Sequence, residues 1–179
     1  MEQDDALGLS VRNRIYGVIK KSPGLHFREI QRRTGLAVGS LQYHLDYLKR
    51  AHLIRTEKDG KFTRYYSIRG KQLGENTKIM SLLRQESVRK IVLFLLTNKR
   101  TNNLAIAKAA GLAPSTTSWH LDKLSEAGLI KKSRRGRKTF FYLQERDRVS
   151  ELLASYRKSF LDEMVDNFAA VWDELGLEK

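Results

Sequence analysis

Residues 35–46 read GLAVGSLQYHLD, and 76 positions later residues 111–122 read GLAPSTTSWHLD. The register holds well outside that core. Ile15 falls on Ile91, Ile30 on Ile106, Leu45-Asp46 on Leu121-Asp122, and Leu48 on Leu124. Leu53-Ile54 falls on Leu129-Ile130, Gly60 on Gly136, and Tyr66 on Tyr142. So many apolar and glycine positions in one register mean two copies of one folding unit in tandem. Each copy can bury only a small core, so it leans on its neighbour or on a partner.

Composition narrows the class. The 179 residues contain no cysteine, which excludes disulfides, thiolate zinc sites and cysteine nucleophiles. Four scattered histidines make no clustered metal site, and no cofactor is expected. The opening MEQDDALGLS is acidic where a secretory signal is basic and then apolar. The longest unbroken apolar run, Ile91 to Leu96, is far too short to span a bilayer. The expectation is a soluble, cytoplasmic, nucleoid-associated protein with no membrane partner.

The net charge of +14 is unevenly placed. Residues 1–70 hold 14 Lys/Arg against 7 Asp/Glu, and residues 71–144 hold 15 against 4. Residues 145–179 reverse the sign, with 5 against 9. Two basic repeats followed by an acidic tail point to a polyanion partner for the repeats.

Both copies read as the same series of elements. Val11, Ile15, Val18 and Ile19 recur at helical spacing over residues 11–21, and Ser22-Pro23-Gly24 ends the run. A short helix around Phe27, Ile30 and Gln31 stops at Thr34-Gly35, where glycine supplies a left-handed turn. A third helix runs from Val38 to about Arg50 with Leu41, Leu45 and Leu48 facing inward. Strands at Leu53–Thr56 and Phe62–Ile68 flank Lys58-Asp59-Gly60-Lys61, a hairpin signal. In the second copy the helices are Val88–Leu96, Leu104–Ala110 and one opening at Pro114, a position that tolerates a missing N–H. Its strands are Leu129–Lys132 and Thr139–Leu143, with a turn over residues 133–138.

Helix–turn–helix followed by a β-hairpin wing is the winged-helix arrangement. GLAVGSLQYHLDYLKRAHLI and GLAPSTTSWHLDKLSEAGLI resemble the turn and recognition helix of ArsR/MarR-type winged-helix regulators. The tandem pair is similar to archaeal regulators with two such domains. The resemblance covers residues 12–68 and 87–144 and implies a winged-helix fold and DNA binding. Two departures stand out. Ala37 and Ala113 occupy the usual Ser or Thr cap position, a loss of about 1 kcal/mol for each cap. His52 takes the place of the usual glycine before the first wing.

The expected fold is mainly α with small β-hairpin wings: tandem winged helix–turn–helix units plus a long C-terminal amphipathic helix. The expected divisions are a first domain at 10–70, a linker at 71–86, a second domain at 87–144 and the helix at 145–179. In the linker, Lys78 to Arg84 should join the first helix of the second unit, leaving the domains a restricted relative orientation. Two helices held that way can span successive major grooves about one helical turn apart.

With the leucines inward, the first recognition helix turns Ser40, Gln42, Tyr43 and Tyr47 outward. The second presents Ser115, Thr116, Ser118, Trp119 and Lys123. Short polar groups at the start of such a helix suit base edges and phosphates of the major groove, although the hydroxyls also suit ordinary capping. Tyr43 and Trp119 either stack on a base or sugar or pack partly on the first helix of their unit. His44 and His120 either touch phosphate or are satisfied boundary residues. The second wing, KKSRRGRK, is the clearest electrostatic signal, with Arg134, Arg135, Arg137 and Lys138 near its tip. A flexible basic hairpin there reaches the phosphate backbone or minor groove. The first wing offers Lys58, Lys61 and Arg64.

From Arg146 to Leu175 an apolar stripe recurs at helical spacing, including Leu153, Tyr156, Phe160, Met164, Phe168 and Trp172. A helix of that length runs about 45 Å, so the stripe should find a second copy as a homodimer or brace both units.

The residues therefore favour a double-stranded DNA-binding transcriptional regulator. A nonspecific architectural DNA binder and a tandem winged-helix protein–protein module are the alternatives, and the basic repeats weigh against the second. Dispersed carboxylates and the absence of a nucleophile–base pair or phosphate loop argue against an enzyme. The outward amide of Gln42 carries a test: Gln42→Ala should relax preference at one base position and cost about 1–3 kcal/mol on the preferred site. A uniform loss across sequences in a binding selection would make Gln42 a positioning residue instead.

Overall fold

The repeat of the sequence survives in every shared element. In the first unit α1 (Ser10–Lys21), α2 (Phe27–Thr34) and α3 (Val38–Arg50) follow one another, with the two-residue strand β1 (Leu25–His26) between α1 and α2. The wing is β2 (Ile54–Asp59) and β3 (Phe62–Ser67). After α4 (Asn76–Leu83), the same helices and wing return 76 positions on: α5 (Glu86–Thr97), α6 (Asn103–Ala110), α7 (Pro114–Glu126), β4 (Ile130–Arg135) and β5 (Lys138–Leu143). Then come α8 (Arg146–Ser155) and α9 (Arg157–Phe160). The structure is a computed structural model and describes residues 10–69 and 76–160. It divides into two units between Ser81 and Leu82.

The first unit closes around one apolar cluster. Ile15 and Ile19 of α1, Ile30 of α2 and Leu41, Leu45 and Leu48 of α3 are buried with Leu25 and Leu53. Each such burial contributes about 1.5–3 kcal/mol, so the leucine spacing of α3 fixes which way that helix is rolled. Between α2 and α3 the chain turns at Gly35, which sits at φ 66° while its N–H donates to the Gln31 carbonyl at 2.8 Å. Gly111 repeats that left-handed turn, also at φ 66°. A Cβ there would add a steric penalty of about 1 kcal/mol or more. His52 adopts the same hand at φ 53° where its counterpart is Gly128 at φ 73°.

In the second unit Val88, Ile91, Val92 and Leu95 of α5, Ile106 of α6 and Leu121 and Leu124 of α7 are buried. Leu129, Leu143, Val149 and Leu153 are buried as well. Arg146, at the start of α8, donates to the carbonyls of Leu95 and Leu96 at the end of α5. A guanidinium placed on the open carbonyls of a helix end satisfies them and suits the negative end of the dipole.

The wings are more regular than the sequence suggests. In the first, Asp59 pairs with Phe62 and leaves only Gly60-Lys61 in the turn. In the second, Arg135 pairs with Lys138, so the turn is Gly136-Arg137 and not the expected six residues. The basic run therefore lies on a paired ladder instead of a flexible loop, because ladder hydrogen bonds extend to the glycine that permits the reversal. β1 adds a third strand, giving the order β1-β3-β2 with Leu25 opposite Tyr65. At the equivalent place in the second unit, Thr101 bridges Phe141.

Two helical expectations need correction. α4 ends at Leu83 and α5 starts after Gln85, so the segment before the second repeat is a separate helix. Arg89, buried in α5, donates to the carbonyls of Leu83 and Arg84 across that break. The tail is not one continuous helix either: α8 stops at Ser155, and Tyr156 leaves helical geometry at φ −112°, ψ 14°. Beyond the break Ser159 and Phe160 are buried. Arg84 donates to the Ser159 carbonyl and hydroxyl, and its guanidinium lies 4.8 Å from the centre of the Phe160 ring. Packing within the unit thus overrides the helical period. Leu153 and Phe160 are buried inside it and Tyr156 is half-buried. Met164, Phe168 and Trp172 lie outside the described residues.

Arg64 is the third correction. The sequence places it on the wing as a DNA contact, yet it is buried at 4% exposure. Pairing of β3 with β1 sets Arg64 opposite His26. Its Nε donates to Asp59 Oδ2 at 3.0 Å, one Nη donates to the Gly24 carbonyl at 3.1 Å, and Glu29 lies at 3.8 Å. It is a buried tie between wing and turn. Arg64→Ala should therefore lower unfolding stability by about 2 kcal/mol, below the ~3–5 of a fully buried pair because both carboxylates keep some exposure. Urea denaturation measures this; an unchanged midpoint would return Arg64 to the list of surface cations.

Candidate nucleic-acid interface

The inward leucines decide what α3 and α7 show outside. On α3, Ser40 and Gln42 are exposed and Tyr43 keeps 57% of its surface in solvent. The Gln42 amide donates to Asp46 Oδ2 at 3.0 Å, one helical turn along on the exposed face. Tyr47 is only half outward: it packs against the core, and the Arg12 guanidinium sits 3.5 Å from the centre of its ring. On α7, Ser115, Thr116 and Ser118 are exposed and Trp119 is 52% exposed. The Lys123 ammonium lies 3.9 Å from the Trp119 ring centre, a cation–π contact that sets the charge over one face of the indole. About half of the surface of Tyr43 and of Trp119 thus lies open to solvent.

Neither α3 nor α7 has a side-chain cap. Ala37 and Ala113 hold extended geometry before α3 and α7, and no side chain accepts from the first turn. The missing caps cost stability and leave the positive helix end open to an anion. Asn103 of α6 donates to Ser118 at 2.8 Å, so that hydroxyl is oriented by a neighbour.

The two wings differ sharply in charge. In the first, Lys58 and Lys61 are exposed, Glu57 is exposed between Arg55 and Lys58, and Arg64 is removed to the interior. In the second, Lys131, Lys132, Arg134, Arg135, Arg137 and Lys138 are all exposed. The register sets Arg135 directly opposite Lys138. Like charges across a ladder are destabilising, and an anion lying over them offsets that cost. Of these six, Lys131 and Lys132 were not singled out from the sequence, although the charge run contains them.

Several other cations surround these faces. Arg28 and Arg32 are exposed on α2. Arg100, just before α6, donates to Ser133 at 2.7 Å and lies 4.8 Å from the centre of the Phe140 ring. Only the fold brings Arg100 beside the wing, 33 residues later in the chain. Among the described residues no group of three or more His, Asp or Glu is placed to hold a metal ion, and no helix is long and apolar enough to cross a membrane.

Comparison with known proteins agrees with this geometry. A family model described as an N-terminal HTH domain matches residues 9–75. A second, described as winged helix-turn-helix DNA-binding, matches residues 78–131. A protein of Methanocaldococcus jannaschii named as an uncharacterized HTH-type transcriptional regulator is 28% identical over 145 residues, 81% of this chain. The chain spans about a third of that relative's length, 36%.

The paired histidines share one peculiarity. The Nδ1 atoms of His44 and His120 are buried and have no hydrogen-bond partner. Burial holds both rings below the ordinary histidine pKa, helped by Arg12 beside His44 and by Lys123 beside His120. Each ring is therefore harder to protonate in the fold than in the unfolded chain, where histidine protonates near pH 6.5. The stability they lend is full above that pH and is lost progressively as pH falls from there toward the lower pKa of the folded rings. Urea midpoints measured from pH 7.5 down to 5.5 should drop for the natural chain and drop less for His120→Gln. Parallel curves for the two proteins would exclude His120 as a contributor.

Proposed function

We propose that this chain, a tandem of two winged helix–turn–helix domains, is a double-stranded DNA-binding transcriptional regulator. The observation that carries the reading is the second wing: six exposed cations on a paired hairpin, two of them directly opposed, beside the exposed polar and aromatic face of α7. A surface built that way is at a disadvantage without a polyanion and is completed by one. In this reading α3 and α7 enter the major groove. Ser40, Gln42, Tyr43, Ser115, Thr116, Ser118 and Trp119 face bases and sugar–phosphate there, and Lys123 lies at their edge. Arg134, Arg135, Arg137 and Lys138 hold the backbone nonspecifically, with Lys58 and Lys61 a weaker counterpart in the first unit.

His120, buried at the edge of α7, supports that helix from within, while the half-buried His44 stays a candidate phosphate contact in this scheme. The likeness to the archaeal relative named as an HTH-type transcriptional regulator supports the regulatory role. A second copy joins through the segment after Phe160, where Met164, Phe168 and Trp172 repeat at helical spacing in the sequence.

Selection from random duplexes, with binding titrated against salt, tests the whole reading. An enriched motif with inverted half-sites is expected for a dimeric regulator, whereas strong salt-dependent binding with no motif would indicate an architectural binder. Failure to bind at low salt would leave the protein–protein module. On any duplex, Arg134→Ala combined with Arg135→Ala should lower the slope of log K against log salt by about one to two units. An unaltered slope would take the wing out of the interface.

A further inference from the structure

The space between α7 and the second wing is a groove of about 550 Å³, lined by Asn103, Ser118, Asp122, Lys132, Lys138 and Thr139 among others. Five of those six side chains carry donor groups, with the Asn103 amide already donating to the Pro114 carbonyl and to Ser118. The Ser118 hydroxyl accepts from Asn103, which leaves its own proton for another acceptor. Asp122 is the exception, the lone anion in a lining otherwise arranged for one. Its Oδ1 holds the Lys132 ammonium at 2.6 Å, and both side chains are about half exposed. A pair so open to water is worth little and exchanges readily.

Among the described residues of the first unit the counterparts differ. Lys132 is replaced there by Thr56, Lys138 by Phe62 and Asn103 by Phe27. Asp46, the counterpart of Asp122, is held by Gln42 of its own helix. Among the described residues the groove and its internal ion pair thus lie in the second unit.

We propose that this groove seats one backbone phosphodiester of bound DNA, and that Asp122 is the internal anion which the phosphate displaces from Lys132. The proposal rests on the DNA-binding reading above. Asp122 then acts as a specificity-determining residue of a negative kind. It weakens the hold of the second unit on any phosphate, so the wing does not overwhelm the discrimination made at base edges.

The test uses the full chain and a random-sequence duplex, with affinity measured by fluorescence anisotropy over a range of salt. Lys132→Met should lower the salt slope by about 0.9, the share of one phosphate contact. Asp122→Asn should tighten binding about two- to fivefold, the change that corresponds to releasing one surface ion pair. The double variant should match Lys132→Met, because Asp122 works through that lysine. Lys132→Gln repeats the measurement with a polar side chain, so that loss of fold cannot imitate the result. If Lys132→Met keeps the natural slope, or if Asp122→Asn tightens binding equally with and without Lys132, the seat is overturned while DNA binding stands. A natural chain that binds no duplex overturns both readings.

Discussion

The inward anchoring of α3 and α7 by evenly spaced leucines is the constraint on which the candidate interface depends. Leu41, Leu45 and Leu48 are each withdrawn from solvent, as are Leu121 and Leu124. Rolling either helix by one residue would bring those side chains into water and replace them in the core with polar groups, at several kcal/mol. The outward face is therefore fixed by the inward one. Ser40, Gln42 and Tyr43, and likewise Ser118 and Trp119, are exposed because the leucines cannot be.

Against that shared scaffold the two units spend their charge differently. In the first, Arg64 is drawn inside to join Asp59, Glu29 and the Gly24 carbonyl, and the wing keeps few free cations. In the second, six cations remain exposed, and Lys132 bridges to Asp122 on α7. A buried guanidinium contributes to the fold only while its carboxylates are present, whereas exposed cations contribute to long-range attraction. One backbone plan thus supports a tightly tied wing and a strongly charged one.

Much of this was legible in advance, and the misses share a cause. The repeat, the element order, the inward leucines and the uncapped alanines all follow from local periodicity and spacing. The fate of Arg64 did not, because it depends on β1, a two-residue strand too short to show alternation. The break at Tyr156 defeats an unbroken apolar stripe because Arg84, more than seventy residues earlier, binds the Ser159 carbonyl. The short turn of the second wing was hidden because Ser, Arg and Lys carry no strong strand preference, and only pairing with β5 extends β4 to Arg135. Lys132 and Asp122 are ten residues apart on different elements, so nothing in their spacing marks them as partners.

The sequence by itself determined that there are two copies of one unit, that each presents a polar helix face and a basic hairpin, and that the second is the more basic. Those properties are periodic or additive along the chain, and composition and spacing carry them. Tertiary structure alone decided which cations stay on the surface, where the tail helix stops, and which carboxylate faces which lysine. Each of those outcomes turns on a pairing between distant segments. Its energy depends on burial and on hydrogen-bond geometry, and neither exists until the chain has closed on itself.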